Sequence, residues 1–254
     1  MTAGAQPAVT DRPFAGQVAL VTGAARRTGA AIAEHLTARG AAVAVHYHTS
    51  AAPARELVER LGGDRAGCHA EAADLTDPPS VSAMVERIVE RSGRIDLLVN
   101  NVGTFQVKPI ERVEPAEWDR AVRTAVTAAF LVCRAVLPHM RRHGYGRIVS
   151  IADSAADKLS PQPTLAPYMV GKTGILILTR SLAAATADCD ITVNAVSPGI
   201  MENSVTKPPG GPAAVPKGRY GTYADLNGAI EFFLRRETSY ITGENLKVSG
   251  GWNL

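Results

Sequence analysis

The stretch Val18-Ala-Leu-Val-Thr-Gly23-Ala-Ala-Arg-Arg-Thr-Gly29-Ala-Ala-Ile-Ala-Glu-His-Leu36 decides the fold of this chain. Its first residues are a short, apolar, valine-rich run, as in a buried strand. Its last residues place Ile32 and Leu36 four apart, on the inner face of a helix. Between them lies a tight turn with Gly23 and Gly29. A strand that turns sharply into a helix leaves unpaired N–H groups and a positive dipole end, where a pyrophosphate docks. Arg27 stands where such loops often carry a middle glycine, so the stretch alone also fits an ordinary strand–helix turn.

Outward from this turn, strand and helix alternate. Strands are predicted over 42–46, 67–72, 96–100, 146–151, 191–195 and 246–248. Helices are predicted over 50–61, from Asp77 through Ile88, from Pro115 to Met140, over 167–187 and over 223–235. Uninterrupted apolar strands between helices predict an α/β, Rossmann-type, doubly wound parallel sheet with helices on both faces, in a single domain. Residues 201–220 are rich in Pro, Gly and Lys without periodicity, as in a mobile substrate lid.

A length of 254 residues suits one α/β domain, and a net charge of +3 gives no sign of nucleic-acid binding. Cys68, Cys133 and Cys189 lack paired spacing and read as reduced core residues of a cytoplasmic protein. Residues 1–15 contain Pro7, Asp11 and Pro13 and no apolar run, so they read as a flexible tail before a domain at 16–254. No stretch reads as long and apolar enough to span a membrane, and no metal is expected.

Tyr168 and Lys172 stand four apart on one helix face. An ammonium beside a phenol favours the phenolate and lowers its pKa, so such a tyrosine can move a proton near neutral pH. With Thr22-Gly23 to Gly29, Asp74-Leu75, Asn100-Asn101-Val102-Gly103, Ser197-Pro198-Gly199, Tyr240-Ile-Thr-Gly243 and Gly250-Gly251 in this order, the chain resembles the short-chain dehydrogenase/reductase family over nearly its whole length. The resemblance implies a nicotinamide cofactor, Tyr168 as proton donor, and Lys172 binding the nicotinamide ribose while lowering the tyrosine pKa. It places Asp74 and Leu75 near the adenine, Asn100, Val102 and Gly103 along the cofactor, and Pro198, Gly199 and Ile200 beside the nicotinamide. It also implies a homotetramer or homodimer. Ala125 stands where the family usually carries an asparagine that supports a proton-relay water.

Within the family the chain is most similar to pteridine reductases, through Gly23 to Gly29, through His46-Tyr-His-Thr-Ser50 and through Asp153, where most members carry serine. The second strand ends without the carboxylate that usually holds the ribose of NAD. Arg26, Arg27, Thr28, His48, Thr49 and Ser50 instead suit a 2′-phosphate, with Arg27 pointing at it, so NADPH is the expected cofactor. Asp153 adds an anion where C=N reduction would develop positive charge. With Asp157 and Glu202 it would form an acidic mouth, and Phe105 would stack on the substrate. The leading expectation is an NADPH-dependent reductase of a C=N bond in a nitrogen heterocycle, a pterin or alkaloid-like compound. The alternatives are a ketone or 3-oxoacyl reductase and a non-catalytic NADPH-binding regulator.

Overall fold

Val18–Val21 forms strand β1, buried along its whole length. Its alternate side chains point to opposite faces: Ala19 and Val21 join one apolar cluster, Val18 and Leu20 the other. The remaining strands are β2 (Ala42–Tyr47), β3 (His69–Ala72), β4 (Leu97–Asn100), β5 (Gly146–Ile151), β6 (Ile191–Pro198) and β7 (Asn245–Val248). They form one parallel seven-stranded sheet in the order β3-β2-β1-β4-β5-β6-β7. This computed structural model describes residues 12–253.

The helices are α1 (Arg27–Ala38), α2 (Ala51–Arg60), α3 (Pro78–Ser92), α4 (Pro115–Val122), α5 (Ala128–His143), α6 (Ala166–Ala185) and α7 (Tyr223–Leu234). Apolar stripes on α1, α2 and α7 cover one face of the sheet. Those on α3 and α5 cover the other, where α6 also packs. The chain reverses its winding between β1 and β4, which opens a crevice at the strands' carboxyl ends.

A π-helical segment, Arg123–Thr127, joins α4 to α5. The three run on as one 29-residue helix whose most apolar 18-residue window has a mean hydropathy of 1.5. By length and composition this helix could cross a membrane, which corrects the expectation that no stretch could. One stripe of its apolar side chains has partners in the fold: Leu131, Val132, Val136 and Met140 pack with Val81, Met84, Val85 and Ile88 of α3. The small residues Ala125, Ala128 and Ala129 are buried within the chain.

Most of the expected flexible tail lies outside the described residues, but its last four residues do not behave as a tail. Phe14 is 1% exposed, sits in the cluster of Ile32 and Leu36, and its N–H donates to the Arg39 carbonyl. Deleting this buried ring in Phe14→Ala should cost about 3 kcal/mol, read as a lower urea midpoint at unchanged slope. A midpoint equal to wild type would mean that residues 12–15 contribute nothing to the fold.

Candidate active site

The turn after β1 is held by three backbone donations. The N–H of Thr22 goes to the Val99 carbonyl, that of Ala24 to the His46 carbonyl, and that of Gly23 to His46 Nδ1. Gly29 must be glycine, because a Cβ there would lie 2.2 Å from the Gly23 carbonyl oxygen. Arg27 adopts a φ of +54°, the left-handed region that explains why glycine is common at this point of such loops. The first turn of α1 has no acidic residue and its N-cap Arg26 gives no side-chain cap. Its dipole and N–H groups are therefore left for an anion. The same holds at α2, where Ser50 is an N-cap without a side-chain bond and the exposed His48 and Thr49 lie just before it. These features fit a dinucleotide whose phosphates meet both helix starts.

Two expected cofactor residues are placed differently. Arg27 turns toward the 201–220 segment. Its guanidinium donates to the Asn203 carbonyl at 2.6 Å and lines the same cleft as Tyr168. The Asn203 amide in turn donates to Thr28 Oγ1 at 3.2 Å, so the 201–220 segment is tied to the glycine turn. Asn100 points inward, its amide donating to Ser150 Oγ and Cys133 Sγ. Its neighbour Asn101, which sequence reasoning passed over, donates to the Thr22 and Gly23 carbonyls and lines the cleft. Val102 lies within 3 Å of where a Cβ on Gly23 would sit, at 2.9 Å, and Gly103 faces the Lys172 ammonium. Asp74 accepts from the N–H and hydroxyl of Thr76, which hold its carboxyl below the usual range. Leu75 beside it is buried.

The cleft, of about 260 Å³, brings together Arg27, Gly103, Phe105, Asp153, Tyr168, Lys172, Pro198, Gly199 and Ile200. Asp153 follows the end of β5. One of its oxygens accepts from the Ala155 N–H, and the other accepts from the Tyr168 hydroxyl at 3.0 Å. Burial pushes the Tyr168 pKa well above 10, and the negative charge and hydrogen bond of Asp153 push the same way. This corrects the expectation of a tyrosine pKa lowered by Lys172. The lysine ammonium lies 5.7 Å from the Tyr168 ring centre and donates instead to the Ile151 carbonyl at 2.6 Å. Burial brings the Lys172 pKa down to about 8, against the opposing pull of Asp153. Ala125 packs under this pair: a Cβ on Gly171 would lie 2.7 Å from its methyl group. Phe105 stands edge-on to Tyr168, with ring centres 5.0 Å apart at 82°.

The expected acidic mouth does not form. Asp157 pairs with Lys247 at 2.8 Å, and neither it nor Glu202 lines the cleft. Glu202 lies at the base of the 201–220 segment, its N–H donating to the Gly221 carbonyl, and borders a separate hollow with Asn203, Gly221 and Tyr223.

The family described as enoyl-(acyl carrier protein) reductase matches residues 23–253. The chain is similar to the 3-oxoacyl-(acyl-carrier-protein) reductase FabG of Escherichia coli, 36% identical over 94% of this chain and 98% of that one. It is also similar to the hydroxynaphthalene reductase-like protein Arp2 of Metarhizium majus, 32% identical over 95% and 97%. A dehydrogenase/reductase of Sinorhizobium meliloti of known structure superposes with a TM-score of 0.86, at 30% identity over 96% of this chain and 98% of that one. The 3-oxoacyl reductases overturn the expected C=N reduction, which had rested on Asp153 and on the mouth that is not formed. The non-catalytic alternative falls with them. By its match over nearly the whole chain, by its relatives and by its fold, the protein belongs to the short-chain dehydrogenase/reductase family of oxidoreductases.

Proposed function

We propose that this chain is an NADPH-dependent carbonyl reductase, acting on a ketone or 3-oxoacyl group, with Tyr168 as proton donor. The observation that carries the reading is the Tyr168 hydroxyl, which burial and the Asp153 carboxylate at 3.0 Å hold in the cleft with its proton on. The 3-oxoacyl reductases among the relatives support the carbonyl class.

The residues present fit a nicotinamide dinucleotide, through the uncapped start of α1 and the crowding that excludes a side chain at Gly29. NADPH is favoured because β2 is followed by His48, Thr49 and Ser50 with no carboxylate, and Arg26 is exposed at the turn. Thr28, Asn101, Val102, Gly103 and Pro198 to Ile200 would line the cofactor, with Asp74 and Leu75 at the adenine. When bound, the nicotinamide supplies hydride to the carbonyl carbon.

The protein's own part is proton management. Tyr168 gives its proton to the carbonyl oxygen. The Asp153 carboxylate 3.0 Å away opposes a lasting phenolate, so Tyr168 regains a proton from solvent after each transfer. Lys172 holds a positive charge near the ring and the ribose. Phe105 gives the substrate an apolar wall, and residues 201–220 form its lid. The likeness to pteridine reductases is confined, on this reading, to the arginine-bearing turn, the end of β2 and Asp153. Exposed Phe130 and Ile177, on α5 and α6, suit a homodimer or homotetramer. The three free cysteines suit the cytoplasm.

The test is NADPH oxidation with a 3-oxoacyl thioester, an aryl ketone and a cyclic imine. Turnover of the carbonyl compounds is expected, falling roughly a hundredfold or more in Tyr168→Phe. Carbonyl compounds left untouched, or full activity in Tyr168→Phe, would refute the reading. The pH profile gives a second check. Reduction should decline on the alkaline side near pH 8, where Lys172 loses its charge, and the decline should move out of range in Lys172→Arg. A decline at the same pH in that variant would mean that another group is responsible.

A further inference from the structure

His46 lies outside the catalytic cleft, yet its ring bridges the Gly23 turn and Ala73. It belongs to β2 and is 2% exposed. Nδ1 lies 2.9 Å from the Gly23 N–H, and Nε2 lies 3.1 Å from the Ala73 carbonyl. A peptide N–H can only donate and a carbonyl can only accept. The ring is therefore the neutral tautomer with its proton on Nε2. Its own carbonyl accepts from Ala24, so backbone and side chain of one residue grip the same turn. Its other contact, Ala73, directly precedes Asp74 and Leu75.

We propose that His46 is a positioning residue for the dinucleotide, fixing the distance between the Gly23 turn, which meets the pyrophosphate, and the Ala73–Leu75 segment, which meets the adenine. The role rests on the cofactor reading above. Among the described hydrogen bonds no other side chain accepts from the Gly23 N–H. Burial suits the assignment, since it holds the His46 pKa down at about 4 against the Ala73 hydrogen bond and the charge of Asp74, with His48 adding to the lowering. A protonated ring would set an N–H against the Gly23 N–H and lose that contact.

Two isosteric substitutions separate the two contacts. An asparagine oxygen can stand where Nδ1 stands and accept from Gly23. A glutamine amide reaches where Nε2 stands and donates only to Ala73. In His46→Leu the dissociation constant for NADPH, measured by fluorescence titration, should rise roughly tenfold, more than kcat changes. His46→Asn should recover most of that affinity and His46→Gln should not. Affinity unchanged in His46→Leu, or equal in the Asn and Gln variants, would overturn the proposal. Should His46→Leu not fold, the Asn and Gln pair decides. The titrations are run with NADPH and NADH, so a wrong choice of cofactor leaves the comparison intact. Nitrogen-15 histidine spectra of the ligand-free protein give an independent reading. The Nε2–H tautomer is expected, and a proton on Nδ1 would overturn the assignment.

Discussion

A side chain at position 29 would strike the carbonyl oxygen of Gly23 at 2.2 Å, and the whole catalytic edge depends on that lack of room. It lets α1 start close against β1, so the helix N-terminus faces the crevice instead of solvent. Once the turn is fixed, its neighbours lock onto it: His46 from β2, Asn101 after β4 and Asn203 from beyond β6. A parallel sheet then brings the other strand ends to the same edge, where Asp153 and Pro198 stand.

At that edge the chemistry is set by two acids and one base. Tyr168 and Asp153 share a hydrogen bond, and both burial and charge keep the proton on the phenol. Lys172, itself brought down to about 8 by burial, is directed at a backbone carbonyl instead of the phenol oxygen. Tyr168 therefore rests protonated, the state that the proposed reduction consumes. With Ala125 packed against Gly171, no polar side chain at that point of the long helix serves Lys172. In the proposed mechanism the Asp153 carboxylate then favours return of a proton to Tyr168.

The sheet, its helices and the Tyr168–Lys172 pair were legible in the sequence because they depend on period: apolar runs for strands, four-residue spacing for a shared helix face. What was misread depends on direction. Asn100 still belongs to β4 and turns inward to Ser150, so the next residue faces the loop, and a one-residue step exchanges the two faces. The course of Arg27 follows from a positive φ and a carbonyl supplied 176 residues later. Asp157 is a loop charge whose partner, Lys247, lies far along the chain, and Glu202 follows the Met201–Gly221 bridge at the base of its segment. The Tyr168 pKa was misjudged for the same reason: the lysine is read from its spacing, but the nearer aspartate is brought in by the fold. Phe14 looked like part of a tail because one aromatic residue carries no period.

The claim on which the proposed mechanism stands is that burial, reinforced by Asp153, keeps the proton on Tyr168. Carbon-13 labelling of the tyrosine ring carbon that bears the hydroxyl, followed by NMR against pH, measures it directly in wild type and Asp153→Asn. The account predicts that the Tyr168 signal stays in the phenol form beyond the ordinary tyrosine range near 10, and that the neutral amide lets it ionise at lower pH. A wild-type Tyr168 that ionises below that range, or a midpoint unmoved by the substitution, would contradict it.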